Sequence, residues 1–278
     1  MTPHDIRLGL IGDNIAASRA PRLHELAGAQ NSKTIRYDRL VPREIGDTFD
    51  GVFDGLEAQG YRGSNITYPY KEHVVKKVTI EDPLVRAIGA VNTVIFDGKN
   101  PPKGFNTDYS GFVAAYERSR KTDTPGTTLM IGTGGVGRAV AFGLIALGVT
   151  ELRLVDMDLA KAEALADDLR GAAPDVKITA GTDAPAAANG ADGLINCTPV
   201  GMVGKGGTPL AGTAMSGAKW AFDAVYTPVE TAFLIDAAAA GLSIISGWEL
   251  FFYQGVHAWA LFTGLPLDET RLRQDLLS

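Results

Sequence analysis

The chain contains a single cysteine, Cys197, among its 278 residues. One cysteine excludes an intramolecular disulfide and fits a reducing compartment. The sequence also has no apolar run of the about 20 residues that a membrane-spanning helix needs. Its first residues, MTPHDIRLGLIG, lack the basic-then-apolar layout of a signal peptide. We therefore expect a cytoplasmic protein without a membrane-spanning segment.

Positive charge is scarce as well. The 26 Lys and Arg residues are outnumbered by 32 Asp and Glu residues, which gives a formal net charge of −6. Basic side chains form no stripe, and their densest group, residues 71–77, is short, so we expect no nucleic-acid partner. His24, His73 and His257 each stand without a carboxylate or cysteine at metal-ligand spacing, so we expect no metal site.

The most informative stretch is residues 127–158. It reads TTLMI, GTGGVG, RAVAFGLIALG and, further on, LRLVDMD, which is the strand, turn, helix and strand of a βαβ unit. In this motif the first glycine permits a tight turn, the second lets backbone N–H groups approach a pyrophosphate, and the third lets the helix pack closely on the sheet. A Rossmann-like fold that binds S-adenosylmethionine, or no dinucleotide, is the alternative. We assign cofactor binding to Gly132, Gly134, Gly135, Val136 and Gly137.

The end of the second strand of this unit predicts which dinucleotide binds. Asp156 follows the glycines by about twenty residues, where a carboxylate accepts hydrogen bonds from an adenosine ribose diol. A 2′-phosphate would meet the charges of Asp156 and Asp158, and residues 155–159 contain no Arg or Lys to neutralise it. The sequence therefore favours NAD over NADP.

The rest of the chain alternates strand-like and helix-like segments, which indicates an α/β protein of two domains. We expect an N-terminal α/β substrate domain over residues 1–108, completed by the last helices in residues 249–278, and a Rossmann domain over residues 109–248. Within the first domain, the pattern predicts one helix from Arg43 to Gln59 and a hairpin between residues 89 and 108.

Two polar side chains are candidates for proton transfer, which hydride transfer from an alcohol requires. Lys71 follows a strand-end Asn and Thr in a loop stiffened by Pro69, and Asp108 precedes a predicted helix. A lysine sheltered beside a nicotinamide and a carboxylate would exchange a proton near neutral pH. Taken singly, such a lysine is more often solvated, and such an aspartate is more often a helix N-cap.

Six segments in order make the chain closely resemble the shikimate/quinate dehydrogenase family. They are NITYPYK at 65–71, GAVNTV at 89–94, NTDYSG at 106–111, GTGGVG at 132–137, NCTPVGM at 196–202 and Gln254 in a late helix. The resemblance implies an oxidoreductase that interconverts a ring hydroxyl of a cyclic hydroxy acid and its 3-dehydro ketone. It makes Lys71 and Asp108 the catalytic pair and Thr198 a cofactor contact. It places substrate binding on Ser18, Asn65, Thr67, Asn92, Gln254 and Tyr226. Without the resemblance, Asn92 is equally well explained as an amide that satisfies the backbone of a turn.

Two positions depart from the commonest family pattern. Most members carry a Ser or Thr two residues after the first serine of the N-terminal loop, whereas this chain has Ala20 after Ser18. A lost hydrogen bond to the substrate carboxylate costs about 1.5–3 kcal/mol unless another group replaces it. Biosynthetic shikimate dehydrogenases usually have Asn-Arg where this chain has Asp156 and Met157, a reading similar to the NAD-using quinate/shikimate branch.

Three functions therefore stay open at the level of sequence. The first is an NAD-dependent shikimate or quinate dehydrogenase. The second is a paralogue acting on another cyclic hydroxy acid such as aminoshikimate, which Ala20 suggests. The third is a non-catalytic NAD-binding regulatory module, against which the intact Lys71 and Asp108 argue. The expected partner is a small molecule, and the chain would act as a monomer or homodimer.

Overall fold

The computed structural model describes residues 5–278, which form two compact units. The first unit contains the residues up to Thr107 together with Gln254–Ser278, and the second contains Asp108–Tyr253. No helix in the described part of the chain is long and apolar enough to cross a membrane.

The strands and helices alternate along most of the chain. The strands are β1 Asp5–Ile11, β2 Thr34–Leu40, β3 Gly63–Ile66, β4 Thr93–Ile95, β5 Lys103–Phe105, β6 Thr127–Ile131, β7 Glu151–Val155, β8 Lys177–Gly181, β9 Gly193–Asn196, β10 Trp220–Asp223 and β11 Ser243–Ile245. The helices are α1 Ala20–Gln30, α2 Pro42–Ile45, α3 Phe49–Asp54, α4 Pro83–Ile88, α5 Thr107–Arg120, α6 Gly135–Ala146, α7 Leu159–Ala172, α8 Ala184–Ala188, α9 Ala232–Ala239, α10 Gly247–Thr263 and α11 Glu269–Leu277. Short 3₁₀ turns lie at His73–Lys77 and Gly212–Ala214.

The first unit is built on a five-stranded mixed sheet with the order β2-β1-β3-β4-β5. Strand β1 pairs in parallel with β2 and β3, whereas β4 and β5 form the expected antiparallel hairpin beside β3. Because β4 runs in the opposite direction, its first residues lie at the same edge of the sheet as the carboxyl ends of β1, β3 and β5. This edge therefore receives side chains from four separate segments.

The prediction of a single long helix from Arg43 to Gln59 is wrong, because the structure has two short helices there. Helix α2 ends at Gly46, which adopts a left-handed conformation with φ of 79°, and α3 begins afresh after Thr48. The Thr48 hydroxyl accepts a hydrogen bond from the Gly51 N–H, which is the usual side-chain cap of a helix N-terminus. A glycine with positive φ commonly ends a helix. The apolar periodicity of the sequence thus continues across a point at which the helical conformation is interrupted.

The last helices pack into the first unit. A side chain at Gly63 in β3 would lie 2.5 Å from the Phe262 ring of α10, and a side chain at Gly255 would lie 2.5 Å from Leu23 of α1. The Arg62 guanidinium also donates a hydrogen bond to the Phe262 carbonyl at 3.1 Å. These close approaches join α10 from Gln254 onward to the sheet formed by the N-terminal residues.

The second unit is a six-stranded parallel sheet with the order β11-β10-β9-β6-β7-β8. Read from the other side, the order is the 3-2-1-4-5-6 of the Rossmann fold, as the sequence predicted. The chain reverses direction across the sheet between β6 and β9, where Ile131 lies opposite Asn196. In such sheets ligands bind outside the carboxyl ends of the strands at this switch point. The glycine loop after β6 lies there.

Candidate active site

The glycine loop has the geometry that the sequence predicted. Gly132 has φ of 98°, and a side chain on it would lie 2.8 Å from the Cys197 carbonyl carbon. A side chain on Gly137 would lie 2.2 Å from the Gly132 carbonyl oxygen, so α6 can approach the turn only through a glycine. Gly134 caps α6, and the space where its side chain would be is open. The loop therefore presents the N-terminus of a twelve-residue helix to open space, which suits a pyrophosphate.

Asp156 stands at the end of β7 as a fixed, charged acceptor. One of its oxygens, Oδ2, accepts hydrogen bonds from the Thr133 backbone N–H and hydroxyl, both at 2.8 Å. The other, Oδ1, accepts the Asp158 N–H at 3.0 Å. Partial burial acts to raise the pKa of Asp156, but these hydrogen bonds and the nearby charge of Lys161 lower it overall. The carboxylate is thus ionised and oriented, as binding to a ribose diol requires.

Two neighbours of Asp156 refine the sequence interpretation. Asp158 is the N-cap of α7, where its side chain accepts the Ala160 N–H at 3.2 Å. Lys161 lies outside residues 155–159 but is close enough to lower the pKa of Asp156. The sequence argument missed this lysine because it considered only residues 155–159, and Lys161 lies two residues beyond them in the first turn of α7. Met157, between the two aspartates, is fully exposed at 99%.

Thr198 lies beside the glycine loop. Its methyl group would be 2.9 Å from a side chain on Gly132. Both its backbone N–H and its hydroxyl donate to the Asn196 side-chain oxygen, at 2.9 and 2.7 Å. The Thr198 hydroxyl hydrogen is therefore already used within the loop, and its oxygen accepts the Val200 N–H at 3.2 Å. Cys197, which lies between Asn196 and Thr198 in the chain, is buried, as expected of a small core residue.

Tyr226 follows β10 in the second unit. Its ring stacks on Phe251 of α10 with the ring centroids 4.9 Å apart and the planes within 15°. The side chain is half-buried. This stacking fixes the orientation of the phenol ring beyond the end of β10, on the β9-β10 side of the switch point.

A buried network of amides and hydroxyls lies at the loop edge of the first sheet. Asn65, at the end of β3, donates from its side-chain nitrogen to the Asn92 carbonyl and the Thr93 hydroxyl, at 3.3 and 3.1 Å. Its oxygen accepts the Tyr37 hydroxyl at 2.8 Å. Both amide hydrogens of Asn65 are thus directed to protein acceptors. In this arrangement the amide holds β3 against the start of β4.

Asn92 organises the start of α5. Its side-chain oxygen accepts the Thr107 N–H at 2.7 Å, and its nitrogen donates to the Thr107 hydroxyl at 3.0 Å. Within residues 5–278, only one of its two amide hydrogens has a protein acceptor, which leaves the other for a ligand. Asp108 follows Thr107 in the first turn of α5 and is buried. It is therefore a helical residue beside the positive end of the helix dipole and not an N-cap.

Lys71 lies in the loop that follows β3. Its carbonyl accepts the Val91 N–H at 2.8 Å, which places it beside the segment that leads into Asn92. The turn before it is closed by the Tyr70 N–H donating to the Thr67 carbonyl at 2.9 Å. The Lys71 side chain is half-buried. The structure thus positions Lys71 and Asn92 at one edge of the first sheet, within the first unit.

The remaining substrate candidates come from the same edge and from α10. The Ser18 hydroxyl accepts the Ala20 N–H at 3.3 Å, so the serine caps the loop at the start of α1. The Thr67 methyl group packs so closely on Gly12 that a side chain there would lie 2.2 Å from it. This contact brings the loops after β1 and β3 together. Gln254 is half-buried in α10, next to the Gly255 that packs on α1.

Within residues 5–278, no group of three or more His, Cys, Asp and Glu side chains is arranged to hold a metal ion. One buried carboxylate near the site was not found from the sequence. Asp223, the last residue of β10, accepts hydrogen bonds from Asn196, Val225 and Thr231. Its partners come from three segments, so only their folded arrangement reveals it.

Comparison with known proteins assigns the family. The shikimate dehydrogenase substrate binding domain matches residues 10–94. A quinate/shikimate dehydrogenase (NAD(+)) of Corynebacterium efficiens is 39% identical, with 99% of each chain covered. A shikimate dehydrogenase (NADP(+)) of Pseudarthrobacter chlorophenolicus is 37% identical, covering 97% of this chain and 94% of the relative.

Solved structures agree with this assignment. The quinate dehydrogenase from Corynebacterium glutamicum in complex with NAD superposes with a TM-score of 0.90 at 35% identity, covering 98% of this chain and 99% of that one. The shikimate 5-dehydrogenase from Thermus thermophilus in complex with NADP(H) and shikimate gives a TM-score of 0.83 at 28% identity, covering 98% of both chains. The fold and the sequence similarity extend over both units. The chain therefore belongs to the shikimate/quinate dehydrogenase family.

Proposed function

We propose that this protein is an NAD-dependent dehydrogenase that interconverts quinate or shikimate and the corresponding 3-dehydro ketone. The observation that carries the proposal is Asp156, an ionised carboxylate fixed at the end of β7 beside the glycine loop. It favours a cofactor with a free ribose diol and opposes a 2′-phosphate. Relatives named as NAD(+) quinate/shikimate dehydrogenases support the same choice.

The two domains expected from the sequence have distinct roles in this proposal. Residues 109–248 bind NAD, which accepts a hydride from the substrate carbon when bound. The glycine loop and the first turn of α6 hold the pyrophosphate, Asp156 and Asp158 face the adenosine ribose, and Thr198 contacts the cofactor beside Gly132. Residues 1–108, completed by 249–278, bind the cyclic acid.

Lys71 and Asp108 handle the proton in this proposal. Hydride transfer leaves the hydroxyl proton behind, so a base must accept it at the substrate oxygen. The Lys71 amine takes that proton in the oxidative direction and returns it in the reductive direction. Asp108 keeps the lysine positively charged after transfer by supplying the opposite charge. The half-buried position of Lys71 and the burial of Asp108 support these roles.

The substrate is held by short polar side chains on several segments. Ser18 and Thr67 lie on loops that touch each other, and one amide hydrogen of Asn92 has no acceptor among the described residues. Gln254 and Tyr226 complete the proposed set. Asn65 contributes differently, because both of its amide hydrogens hold β4 in place and its oxygen already accepts the Tyr37 hydroxyl. Hydroxyls and amides that converge from several loops fix the orientation of a polyhydroxylated ring acid.

Ala20 supports a second candidate substrate. It is buried at the first position of α1, two residues after Ser18, where it offers a methyl group instead of a hydroxyl. The chain would then prefer another cyclic hydroxy acid, such as aminoshikimate, whose carboxylate is held by other groups. We further propose a cytoplasmic protein that acts as a monomer or homodimer on small molecules and not on nucleic acid, in accord with its net charge and single cysteine.

The test is a set of NADH and NADPH absorbance assays at several pH values with quinate, shikimate and aminoshikimate. We expect kcat/KM to be at least about tenfold higher with NAD than with NADP, a difference of about 1.4 kcal/mol. Preference for aminoshikimate would select the second candidate. Tight NADH binding without turnover of any of the three acids would contradict an enzyme and support a regulatory NAD-binding module.

A further inference from the structure

Asp223 is a fully buried carboxylate that the proposed chemistry does not use. Its Oδ1 accepts the Val225 N–H at 2.9 Å and the Asn196 side-chain N–H at 3.0 Å. Its Oδ2 accepts the Thr231 hydroxyl at 2.6 Å. The Thr231 oxygen in turn accepts the Leu234 N–H and caps α9. One side chain therefore joins the end of β9, the segment after β10 and the start of α9.

The Asn196 partner extends this connection to the cofactor loop. Asn196 is fully buried, and its side-chain oxygen accepts hydrogen bonds from the Thr198 N–H and hydroxyl. Its side-chain nitrogen also donates to the Val200 carbonyl at 3.0 Å. The position of its nitrogen depends on Asp223. Thr198 is thus held beside Gly132 by an amide that the buried carboxylate orients.

The location of Asp223 in the sheet identifies the half of the cofactor that it affects. Asn196 and Asp223 lie opposite each other as the last residues of neighbouring strands, β9 and β10. Asp156 ends β7, on the other side of the switch point between β6 and β9. A Rossmann sheet binds one mononucleotide on each side of that point. If Asp156 faces the adenosine ribose, Asp223 lies beneath the nicotinamide half.

In the described part of the chain, no cation balances the charge of Asp223. Its three partners are a backbone N–H, an amide and a hydroxyl, all neutral. Burial raises the pKa of Asp223 to about 6, although the hydrogen bonds from Thr231, Val225 and Asn196 act against that rise. A buried charge without a cation lowers stability, and an apolar side chain would fill the same space at lower cost. Three hydrogen-bond donors from separate segments converge on this carboxylate, which indicates that its role is to orient those segments.

We propose that Asp223 is a positioning residue for the nicotinamide half of the site, which it aligns through Asn196 and Thr198 on one side and through the segment of Val225 and Tyr226 on the other. This inference rests on the proposed function, because it assumes that the second unit binds NAD. It assigns no chemical step to Asp223, whose carboxylate is buried and engaged by the protein.

The variant Asp223→Asn tests the arrangement with little change in volume. It replaces one acceptor oxygen with an NH₂ donor, so three donors must share one oxygen. One of Asn196, Val225 and Thr231 then loses its acceptor. Because the variant also removes a buried charge, its folding is expected to be close to that of the wild type. The measured quantities are the Kd of NADH and the Kd of ADP-ribose, which lacks the nicotinamide.

We expect Asp223→Asn to raise the Kd of NADH at least about tenfold. This is the effect expected from the loss of roughly one hydrogen bond that positions the cofactor loop. Binding of ADP-ribose should stay within about twofold of the wild type, because Asp156 and the glycine loop are untouched. Equal weakening of both ligands would overturn the proposal, since it would indicate general destabilisation. Unchanged NADH binding would overturn it as well.

Three further variants make the result specific. Asp192→Asn changes a carboxylate that accepts the Thr127 N–H and pairs with Lys219 at the opposite, amino-terminal edge of the same strands, and it should leave both Kd values unchanged. Thr231→Val removes one donor to Asp223 and should weaken NADH selectively, whereas Thr231→Ser should restore wild-type binding. The Thr231→Val and Thr231→Ser variants test the proposal even if Asp223→Asn does not fold.

Wild-type protein that binds NADH but oxidises none of the three acids would contradict the proposed function and leave the NADH and ADP-ribose comparison valid.

Discussion

Thr133 donates two hydrogen bonds to the same oxygen of Asp156, one from its backbone N–H and one from its hydroxyl, both at 2.8 Å. The glycine turn after β6 is therefore tied to the end of β7 by the carboxylate that we propose for ribose binding. The orientation of Asp156 is fixed before any cofactor binds. Its Oδ1 accepts the Asp158 N–H and, among the residues that the structure describes, no other donor, which leaves a lone pair for a ligand.

Replacement of Asp156 should shift the choice of cofactor. In Asp156→Ser the charge that repels a 2′-phosphate is gone, and Lys161 is left beside the site. We expect kcat/KM with NAD to fall about ten- to hundredfold, because a hydrogen bond to a charged group is worth about 1.5–3 kcal/mol. The NAD to NADP ratio of kcat/KM should fall with it. Asp167→Ser, an exposed carboxylate paired with Arg170 on α7, is the control, and an unchanged ratio in Asp156→Ser would refute the assignment.

Removal of the Lys71 amine should abolish most of the turnover and spare the cofactor site. In Lys71→Met the alkyl stem remains but no group accepts the hydroxyl proton, so we expect kcat to fall about 10²- to 10⁴-fold. The Kd of NADH should change less than about twofold, because the glycine loop lies in the other unit. Lys76→Met, an exposed lysine in the 3₁₀ turn that follows, should behave as the wild type. Near-normal kcat in Lys71→Met would remove Lys71 from the mechanism.

A double-mutant cycle should show that Lys71 and Asp108 act as one group. Asp108→Asn keeps the shape of the side chain but removes the charge that supports a protonated lysine, so kcat should also fall about 10²-fold or more. Residues that act together give strongly non-additive losses. The double variant should therefore be little slower than Lys71→Met, as single-turnover rates would reveal. Losses that multiply would mean that the two side chains act independently.

The cofactor half of the fold was predictable because its signals are local. A glycine turn, a helix and an aspartate about twenty residues later form one continuous stretch, and each glycine has a separate steric reason, as the contacts of Gly132 and Gly137 demonstrate. The break at Gly46 was missed because the apolar spacing on both sides of it is compatible with a single helix. Periodicity reports which face is apolar, but not where the backbone changes direction.

Side chains that meet only in the folded chain escaped the sequence argument. Asp223 and Asn196 are adjacent because β9 and β10 pair in register, although 26 residues separate them in the chain. Asn65 is expected to contact substrate, and the structure adds that its amide hydrogens join β3 to β4. Motif spacing identifies such an asparagine as important, but only the register of the strands reveals which of its atoms are already engaged.

A hydroxyl restored at position 20 should improve the use of shikimate. Ala20→Ser places a donor two residues after Ser18, at the start of α1, where the substrate carboxylate is expected. If the missing hydroxyl is the cause of a weak shikimate KM, that KM should fall up to about tenfold with little change in kcat, since the contact is the same in ground and transition states. Ala29→Ser, an exposed position on the same helix, is the control. An unchanged KM would show that other groups hold the carboxylate.

His24 should make the protein less stable as the pH falls below neutral. The side chain is buried in the first unit, stacked on Tyr37 with the ring centroids 5.2 Å apart, and its Nδ1 has no hydrogen-bond partner within residues 5–278. Burial lowers the pKa of His24 to about 3, against a smaller opposing effect of its hydrogen bond with Asn65. The unfolded chain takes up a proton near pH 6.5 and the folded chain does not, so the unfolded state binds more protons between about pH 6.5 and pH 3. This term therefore favours the unfolded state increasingly as the pH decreases through that window.

The variant His24→Phe isolates the effect. From pH 7 to pH 5 the free energy of unfolding of the wild type should fall about 2 kcal/mol more than that of His24→Phe, because carboxylates contribute equally to both. Urea unfolding followed by tryptophan fluorescence measures the difference, and Trp259, whose ring centroid lies 6.3 Å from that of His24, reports on this unit. Equal slopes for the wild type and His24→Phe would mean that His24 binds its proton as readily in the folded protein as in the unfolded chain, which its apolar surroundings oppose.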